Sequence, residues 1–222
     1  MVKTKRKRPA AKSRAREAAT EQRILNAARA VFLRRGTAGA RMQEIAREAG
    51  VNQALLHYYF RSKERLSAAV LQQVASRIFP ALIQTVAGDL SLDEKIERLV
   101  TIYIDTLSRN LFVPGYLLSE AHHDPDRIEK LLSGAIGTSP RSIAPLLLKN
   151  LERQIDEQVQ NGKMRPIKAQ QFIINLISLC VFPFAARPML RIVFGMDDAT
   201  FIRFVEQRKK ELPDFFRSAL RP

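Results

Sequence analysis

Residues 36–66 of this 222-residue chain read GTAGARMQEIAREAGVNQALLHYYFRSKERL. In this stretch Met42, Ile45, Ala46 and Ala49 recur at the spacing of one face of a helix. A helix this short buries its apolar face only by packing against a neighbouring element. The pattern therefore predicts a short amphipathic helix that belongs to a larger helical unit.

A tight turn and a second short helix follow the first. Gly50 is the residue type that most readily adopts positive φ, so it predicts the end of the first helix. Leu56 and Phe60 lie four residues apart and can bury the second helix against the first. The opposite face carries small and polar side chains, namely Gln53, Ala54, His57 and Tyr58. This is the layout of a helix-turn-helix, whose second helix enters the major groove of DNA.

Two further helices flank the motif. The preceding helix is predicted to start at Thr20 as its N-cap and to end at Gly36. Ser62 is predicted to cap the following helix, whose buried stripe is Leu66, Val70 and Val74. The unit is thus three helices and the start of a long fourth.

These segments together resemble the DNA-binding domain of the TetR family of bacterial regulators. The residues that carry the resemblance are Phe32, Gly36, Ile45, Ala46, Ala49, Gly50, Val51, Leu56, Tyr59, Phe60, Lys63 and Leu66. The resemblance implies a helix-turn-helix DNA-binding domain over residues 19–65 and a helical ligand-binding and dimerisation domain over residues 66–222. Since period-2 alternation is almost absent, the fold is predicted to be all-α.

The sequence departs from the family pattern where operators are read. The family usually has tyrosine at His57, often glycine and threonine at Ala54 and Leu55, and commonly serine or threonine where this chain has Ala40 and Arg41. These departures bear on which DNA sequence is recognised rather than on the fold.

Charge is concentrated at the same end of the chain. The whole chain has a net charge of +15, and residues 1–63 alone hold sixteen Lys or Arg against only four acidic residues. Neutralising DNA phosphates requires such a basic surface. Residues 1–18 lack apolar periodicity and are predicted to be a disordered basic arm, which either follows the DNA or serves only as a solubilising tail.

Specific DNA contacts can be assigned to side chains of the motif. Five residues are candidates for reading bases. Gln43 and Gln53 can pair bidentately with adenine or contact guanine edges, Ala54 and Leu55 can contact a thymine methyl, and His57 can donate to guanine. The candidates for phosphate contact are Arg41, Tyr58, Tyr59 and Lys63. Packing beneath the second helix is the alternative for Tyr59.

The fourth helix is predicted to continue to about Thr85, broken or kinked near Pro80. Further helices are predicted over residues 92–110, 116–122, 140–160, 167–187 and 197–212, with another starting at Asp124-Pro125 and the last ending before Pro213. The family resemblance implies a four-helix dimer interface built from residues 141–161 and 168–186. We expect Leu147, Leu151, Leu176 and Phe182 to lie in that interface, with intrasubunit packing as the alternative.

The resemblance also implies a small apolar or amphipathic ligand that enters the larger domain and releases the DNA. The candidate lining residues are Tyr103, Leu107, Phe112, Tyr116, Leu118, Glu120, His122 and Phe172. For Glu120 and His122, an ion pair and an exposed helix end are the alternatives. His122, His123 and Asp124 do not make a metal site by spacing, and no cofactor is expected.

Several classes of function are disfavoured. The chain shows no phosphate-binding glycine loop, HExxH or GxSxG pattern, so an enzyme is not expected. Its one cysteine, Cys180, fits a reducing bacterial cytoplasm, and the richest apolar run, residues 172–186, is too short to span a membrane. The sequence thus predicts a ligand-released, nucleoid-associated transcriptional repressor; a non-specific architectural DNA-binding protein is the alternative.

Overall fold

The computed structural model describes residues 9–222, which form eleven helices and no strand. The chain divides into two compact units, one ending at Leu71 and the other running from Gln72 to Pro222. The boundary falls inside one continuous helix, α4 (Lys63–Ala87). The all-α prediction is confirmed.

The first unit contains α1 (Pro9–Gly39), α2 (Met42–Glu48), α3 (Gln53–Phe60) and the start of α4. Helix α1 packs against α2, and α2 packs against α3. The core consists of side chains that are fully or almost fully buried, namely Ile24, Ala28, Val31, Phe32, Ile45, Leu56 and Leu66.

Helix α1 starts earlier than predicted, but its regular part ends at the predicted residue. Residues 9–18, which were predicted to be disordered, form its first turns, because alanine, arginine and glutamate favour a helix. Thr20 donates from its hydroxyl to the carbonyl of Arg16 and is therefore inside the helix rather than its N-cap. Gly36 has φ 67° and ψ 170°, which breaks the helix where its end was predicted. The basic residues of segment 1–8 lie outside the described residues.

The second unit contains the end of α4 and seven further helices: α5 (Leu92–Ser108), α6 (Val113–His123), α7 (Pro125–Ile136), α8 (Pro140–Gln160), α9 (Ala169–Ala185), α10 (Arg187–Phe194) and α11 (Asp198–Ala219). Helix α5 packs against both α9 and α11. The centre of the core is formed by buried apolar side chains from these three helices, namely Val100, Ile104, Phe172, Leu176, Phe201 and Val205.

Two helices of the second unit differ from the sequence prediction. Helix α11 continues through Pro213 because Leu212, Pro213 and Phe216 are all buried, and this packing offsets the cost of an internal proline. Helix α10 was not predicted as a separate element. It follows α9 after one residue, at an angle of 66°.

Helix α4 also meets the length and composition of a membrane-spanning helix, which the sequence analysis did not anticipate. The core helix of a folded domain meets the same test. In α4 the stripe Val70, Val74 and Ile78 is buried within the protein.

Candidate nucleic-acid interface

Helix α2 and the following turn set the position of α3. Ile45 and Ala46 are buried, and the helix ends where Val51 N–H donates to the Ala46 carbonyl at 3.0 Å. Gly50 adopts φ 64°, which a side chain would disfavour. The predicted helix–turn–helix geometry is therefore present, and the reversal depends on this glycine.

Helix α3 is fixed by its cap and by two buried side chains. The Asn52 side-chain oxygen accepts from Leu55 N–H at 2.7 Å, a cap that the sequence analysis missed. Leu56 and Phe60 are buried, as predicted. The face opposite them is exposed and includes Tyr58, whose relative exposure is 78%.

Gln53 and His57 are already joined on the exposed face of α3. The Nδ1 atom of His57 lies 3.1 Å from the Arg61 carbonyl, which can only accept, so the ring hydrogen lies on Nδ1. The Nε2 atom of His57 then accepts from Gln53 Nε2 at 3.4 Å. A neutral His57 in this arrangement has no N–H left to donate to guanine. Donation would require a second proton or a change of rotamer.

The predicted phosphate contacts fall into different environments. Arg41 has extended backbone at the start of α2, and its side chain is exposed. Lys63 Nζ donates to the Ala38 carbonyl at 3.0 Å, which leaves two ammonium hydrogens for another acceptor. Tyr59 is half-buried, and its hydroxyl points to the Glu17 carbonyl at 3.4 Å. Tyr59 therefore packs between α3 and α1, which is the alternative that the sequence left open for it.

An open cleft of about 670 Å³ lies beside α2. Its lining residues are Arg35, Gly39, Arg41, Gln43, Glu44 and Arg47. Only Glu44 opposes the three arginines, at 3.8 Å from Arg35, so the cleft is basic. Arg35 and Arg47 were not among the predicted DNA contacts, although their charge and their place beside the motif are visible in the sequence.

The predicted ligand-lining residues lie in different environments. Leu107 and Phe172 are core residues, and Phe172 stacks edge-on against Phe216 with ring centroids 5.1 Å apart. Leu118 is half exposed and His122 is exposed. Phe112 and Tyr116 are half-buried near the α5–α6 connection.

Two of the polar and aromatic candidates have clear environments. Glu120 pairs with Arg127 at 3.0 Å, the alternative that the sequence left open. Tyr103 is half-buried, and desolvation of its hydroxyl raises the pKa of this group above the ordinary value. Within the described part of the chain, no group of three His, Cys, Asp or Glu residues is placed to hold a metal.

The same region contains polar atoms that the sequence analysis did not single out. Asn110 is buried between α5 and α6, and its Nδ2 donates to the Thr106 carbonyl at 2.8 Å. The Oδ1 atom of Asn110 and the Oγ atom of Ser108 are buried without a hydrogen-bond partner. Buried acceptors of this kind require a donor from water or a ligand.

The predicted dimer-interface residues divide into two groups. Leu151 and Leu176 are buried within the chain itself, which is the alternative that the sequence left open for them. Phe182 is 57% exposed, and Leu147 is half-buried. Leu146 on α8 and Ile174 on α9 are also more than half exposed, and the sequence analysis did not name them.

A helix-turn-helix with an exposed, polar recognition helix, joined to a larger helical unit, defines a DNA-binding transcriptional regulator. Comparison with known proteins agrees with this class. Residues 24–70 match the model for bacterial regulatory proteins of the tetR family, and residues 89–213 match that for the tetracyclin repressor-like C-terminal domain. The chain belongs to the TetR family.

Relatives and solved structures support this assignment. The HTH-type transcriptional regulator RutR of Escherichia coli K12 is 31% identical over 186 residues, which cover 79% of this chain and 76% of RutR. The HTH-type transcriptional repressor SCO4008 of Streptomyces coelicolor is 35% identical over 115 residues, but the match covers 50% of this chain and only 58% of that repressor.

The ketosteroid transcriptional regulator KstR2 of Mycobacterium tuberculosis superposes with a TM-score of 0.64 at 13% identity, covering 91% of this chain and 95% of KstR2. The hemolysin II transcriptional regulator HlyIIR gives a TM-score of 0.57 at 20% identity, covering 92% and 98%. At these identities the likeness concerns the fold.

Proposed function

We propose that this chain is a homodimeric repressor that binds a two-fold-symmetric operator in the bacterial nucleoid and is released by a small ligand. The observation that carries the proposal is the exposed face of α3. There Gln53, Ala54 and His57 are held outward by the buried Leu56 and Phe60. A helix presented in this way fits the major groove.

In the proposed complex, base reading comes mainly from α3. The amide of Gln53 can pair bidentately with adenine, while Ala54 and Leu55 can contact a thymine methyl. Gln43 on α2 is exposed and can reach an adjacent base edge. His57 contributes to reading by orienting Gln53, which it contacts in the free protein.

Phosphate contacts flank the reading face. Arg41, Tyr58 and Lys63 keep their predicted role in the proposal, and Arg35 and Arg47 join them through the basic cleft. These side chains position α3 on the duplex without reading sequence.

Dimerisation is proposed to use the exposed apolar side chains of α8 and α9. Leu146, Ile174 and Phe182 are each more than half exposed to water. A groove of about 220 Å³ beside these helices is lined by Gln170 and by apolar residues, including Leu147 and Ile173. In a two-fold interface each subunit offers both the projecting side chains and the groove, so the surface can complement itself.

The ligand is proposed to be a small amphipathic molecule that carries a hydrogen-bond donor. The buried acceptor atoms of Asn110 and Ser108 belong to residues within two positions of the candidate residues Phe112 and Leu107, and they supply the polar groups such a site needs. Release requires that the ligand bind the DNA-free conformation more tightly than the DNA-bound one.

Selection of bound sequences from a random DNA pool at moderate salt tests this function. The proposal predicts enrichment of one two-fold-symmetric site, with half-sites separated by a multiple of about 34–36 Å. Enrichment of nothing beyond base composition would contradict it and favour a non-specific architectural protein.

A further inference from the structure

Lys95 on α5 is a lysine with only 1% relative exposure. Its ammonium donates to the Val86 carbonyl at 2.8 Å and to Gln154 Oε1 at 2.7 Å. No carboxylate in the described part of the chain forms an ion pair with it. Burial lowers the pKa of Lys95, repulsion from Arg153 adds to this, and attraction to Asp89 opposes it. Burying an ammonium without a carboxylate partner costs free energy, and a structural role of Lys95 would account for that cost.

Two amides from α8 complete the arrangement around Lys95. Asn150 Nδ2 donates to the carbonyls of Val86 at 2.9 Å and Ala87 at 3.3 Å. Gln154 Nε2 donates to the Leu90 carbonyl at 2.8 Å, while its Oε1 accepts from Lys95. We call Lys95, Asn150 and Gln154 the α4 clamp.

The α4 clamp acts on the terminus of one helix. Val86 and Ala87 are in the last turn of α4, where helical carbonyls lack partners within the helix. The positive charge of Lys95 also lies at the negative end of the α4 dipole. Both effects fix the end of α4 to α5 and α8.

The last turn of α4 also lines an apolar groove together with α8. Val86 lines the groove of about 220 Å³ together with Leu147 and Leu151 of α8 and Ile173 of α9. Helix α8 therefore reaches the end of α4 through the hydrogen bonds of Asn150 and Gln154, and both helices line this apolar groove. A shift of α8 relative to α4 would have to break these hydrogen bonds and change the shape of the groove.

Helix α4 is the chain's continuous connection between its two units. It starts at Lys63, two residues after Arg61, and its 25 residues span about 37 Å. Pro80 lies inside α4, and the helix nevertheless continues unbroken from Lys63 to Ala87, so a restraint on its last turn acts on the helix whose first turn follows the proposed DNA-reading helix α3.

We propose that the α4 clamp is a positioning device that sets the spacing of the two reading helices by tying α4 to the proposed dimerisation helix α8. Lys95, Asn150 and Gln154 touch no DNA in this account. They restrict which operator spacing the dimer accepts. The proposal rests on the proposed function, because spacing has meaning only for a dimer that reads two half-sites.

The test measures two equilibrium affinities for each variant. One operator is the site selected from the random pool, and the other has one base pair inserted at its centre. This insertion separates the half-sites by about 3.4 Å and rotates one by about 34°. The discrimination ratio is the affinity for the first operator divided by that for the second.

Replacing Lys95 by methionine keeps an unbranched side chain that is one atom shorter, and removes the charge and the two hydrogen bonds of the ammonium. We expect K95M to lower the discrimination ratio about tenfold, which corresponds to about 1.4 kcal/mol of coupling. Arg98→Met is the matched control, because it removes the same charge from an exposed position on the same helix. It should leave the ratio unchanged.

A loss of stability alone would reduce the active fraction and lower both affinities equally, leaving the ratio unchanged. An unchanged ratio for folded, dimeric K95M would overturn the proposal. Should K95M fail to fold, Asn150→Ala and Gln154→Met decide the question, since each removes one part of the α4 clamp. Failure of the proposed function looks different, because the wild-type chain would then select no symmetric operator.

Discussion

Arg61, between α3 and α4, is the one non-glycine residue within residues 9–222 that has a positive φ, 53°. Ser62 N–H donates to the Phe60 carbonyl, which closes a three-residue γ-turn around Arg61. This form of γ-turn is rare and strained. The Arg61 carbonyl also accepts from His57, so the strained turn helps to orient the proposed reading residue.

Replacing Arg61 by glycine should stabilise the protein. Relief of about 1–3 kcal/mol of strain outweighs the entropy cost of a glycine, about 0.5–1 kcal/mol, so the free energy of unfolding should rise by about 1 kcal/mol. Urea unfolding measures the change. Arg61→Ala is the control, because it removes the same charge but keeps a Cβ. Equal stability of the two variants would show that the turn is not strained.

Cys180 on α9 should be chemically inert in the folded protein. It is fully buried, and this burial raises the pKa of its thiol to about 12 despite the opposing charge of Arg208. The reactive thiolate is therefore scarce at pH 8. We expect a thiol reagent to label Cys180 only after unfolding in denaturant. Rapid labelling of the native protein at pH 8 would contradict this environment.

The sequence predicts the structural environment of some residues better than that of others. The turn at Gly50 and the burial of Leu56 and Phe60 follow from spacing within a few residues, so they could be predicted. The burial of Lys95 could not, because lysines are rarely buried and its partners lie on elements distant in sequence. The hydrogen bond that fixes the Nδ1 tautomer of His57 likewise depends on the turn at Arg61.

At the scale of helices, α11 starts with a titratable N-cap. The Asp197 side chain accepts from Thr200 N–H at 2.7 Å. Hydrogen bonding to Thr200 lowers the pKa of Asp197 below its ordinary value of 3.8. A carboxyl with a lowered folded-state pKa stabilises the fold above pH 3.8, and this stabilisation is lost as the pH falls through the lowered value.

Asp197→Asn tests this pH dependence, because asparagine caps a helix without titrating. We expect the wild-type chain to melt at a higher temperature than this variant at pH 6. The difference should diminish as the pH falls below 3.8. Thermal unfolding followed by circular dichroism measures both chains across the range, and a difference that does not vary with pH would contradict the expectation.

Whole helices show where prediction from sequence stops. The existence of α8 and α9 followed from their apolar periodicity and their proline and glycine boundaries. Which face of α9 meets its own core did not, because α9 is apolar on nearly every side. Leu176 therefore lies inside the subunit although it was expected at an interface. The continuation of α11 beyond Pro213 depends on tertiary packing that no local pattern contains.

At the scale of the whole molecule, the proposed dimer predicts unequal effects of two similar substitutions. Phe182 on α9 and Phe215 on α11 are 57% and 61% exposed. Burying one such side chain contributes about 1.5–3 kcal/mol, and a two-fold interface buries it twice. Phe182→Ser should therefore raise the dimer dissociation constant at least about tenfold.

Phe215→Ser should leave the dimer unchanged, because α11 is outside the proposed interface. Sedimentation equilibrium over a range of concentrations measures both variants. The interface would be misplaced if Phe215→Ser dissociated the dimer and Phe182→Ser did not.

Base reading by the exposed face of α3 can be tested by repeating the random-pool selection with Gln53→Ala. We expect preference to be lost at one position in each half-site, while the other positions and the symmetry persist. Lys63→Ala, the backbone-contact control, should weaken all sites uniformly and leave every base preference intact. Retention of every base preference by Gln53→Ala would contradict the account.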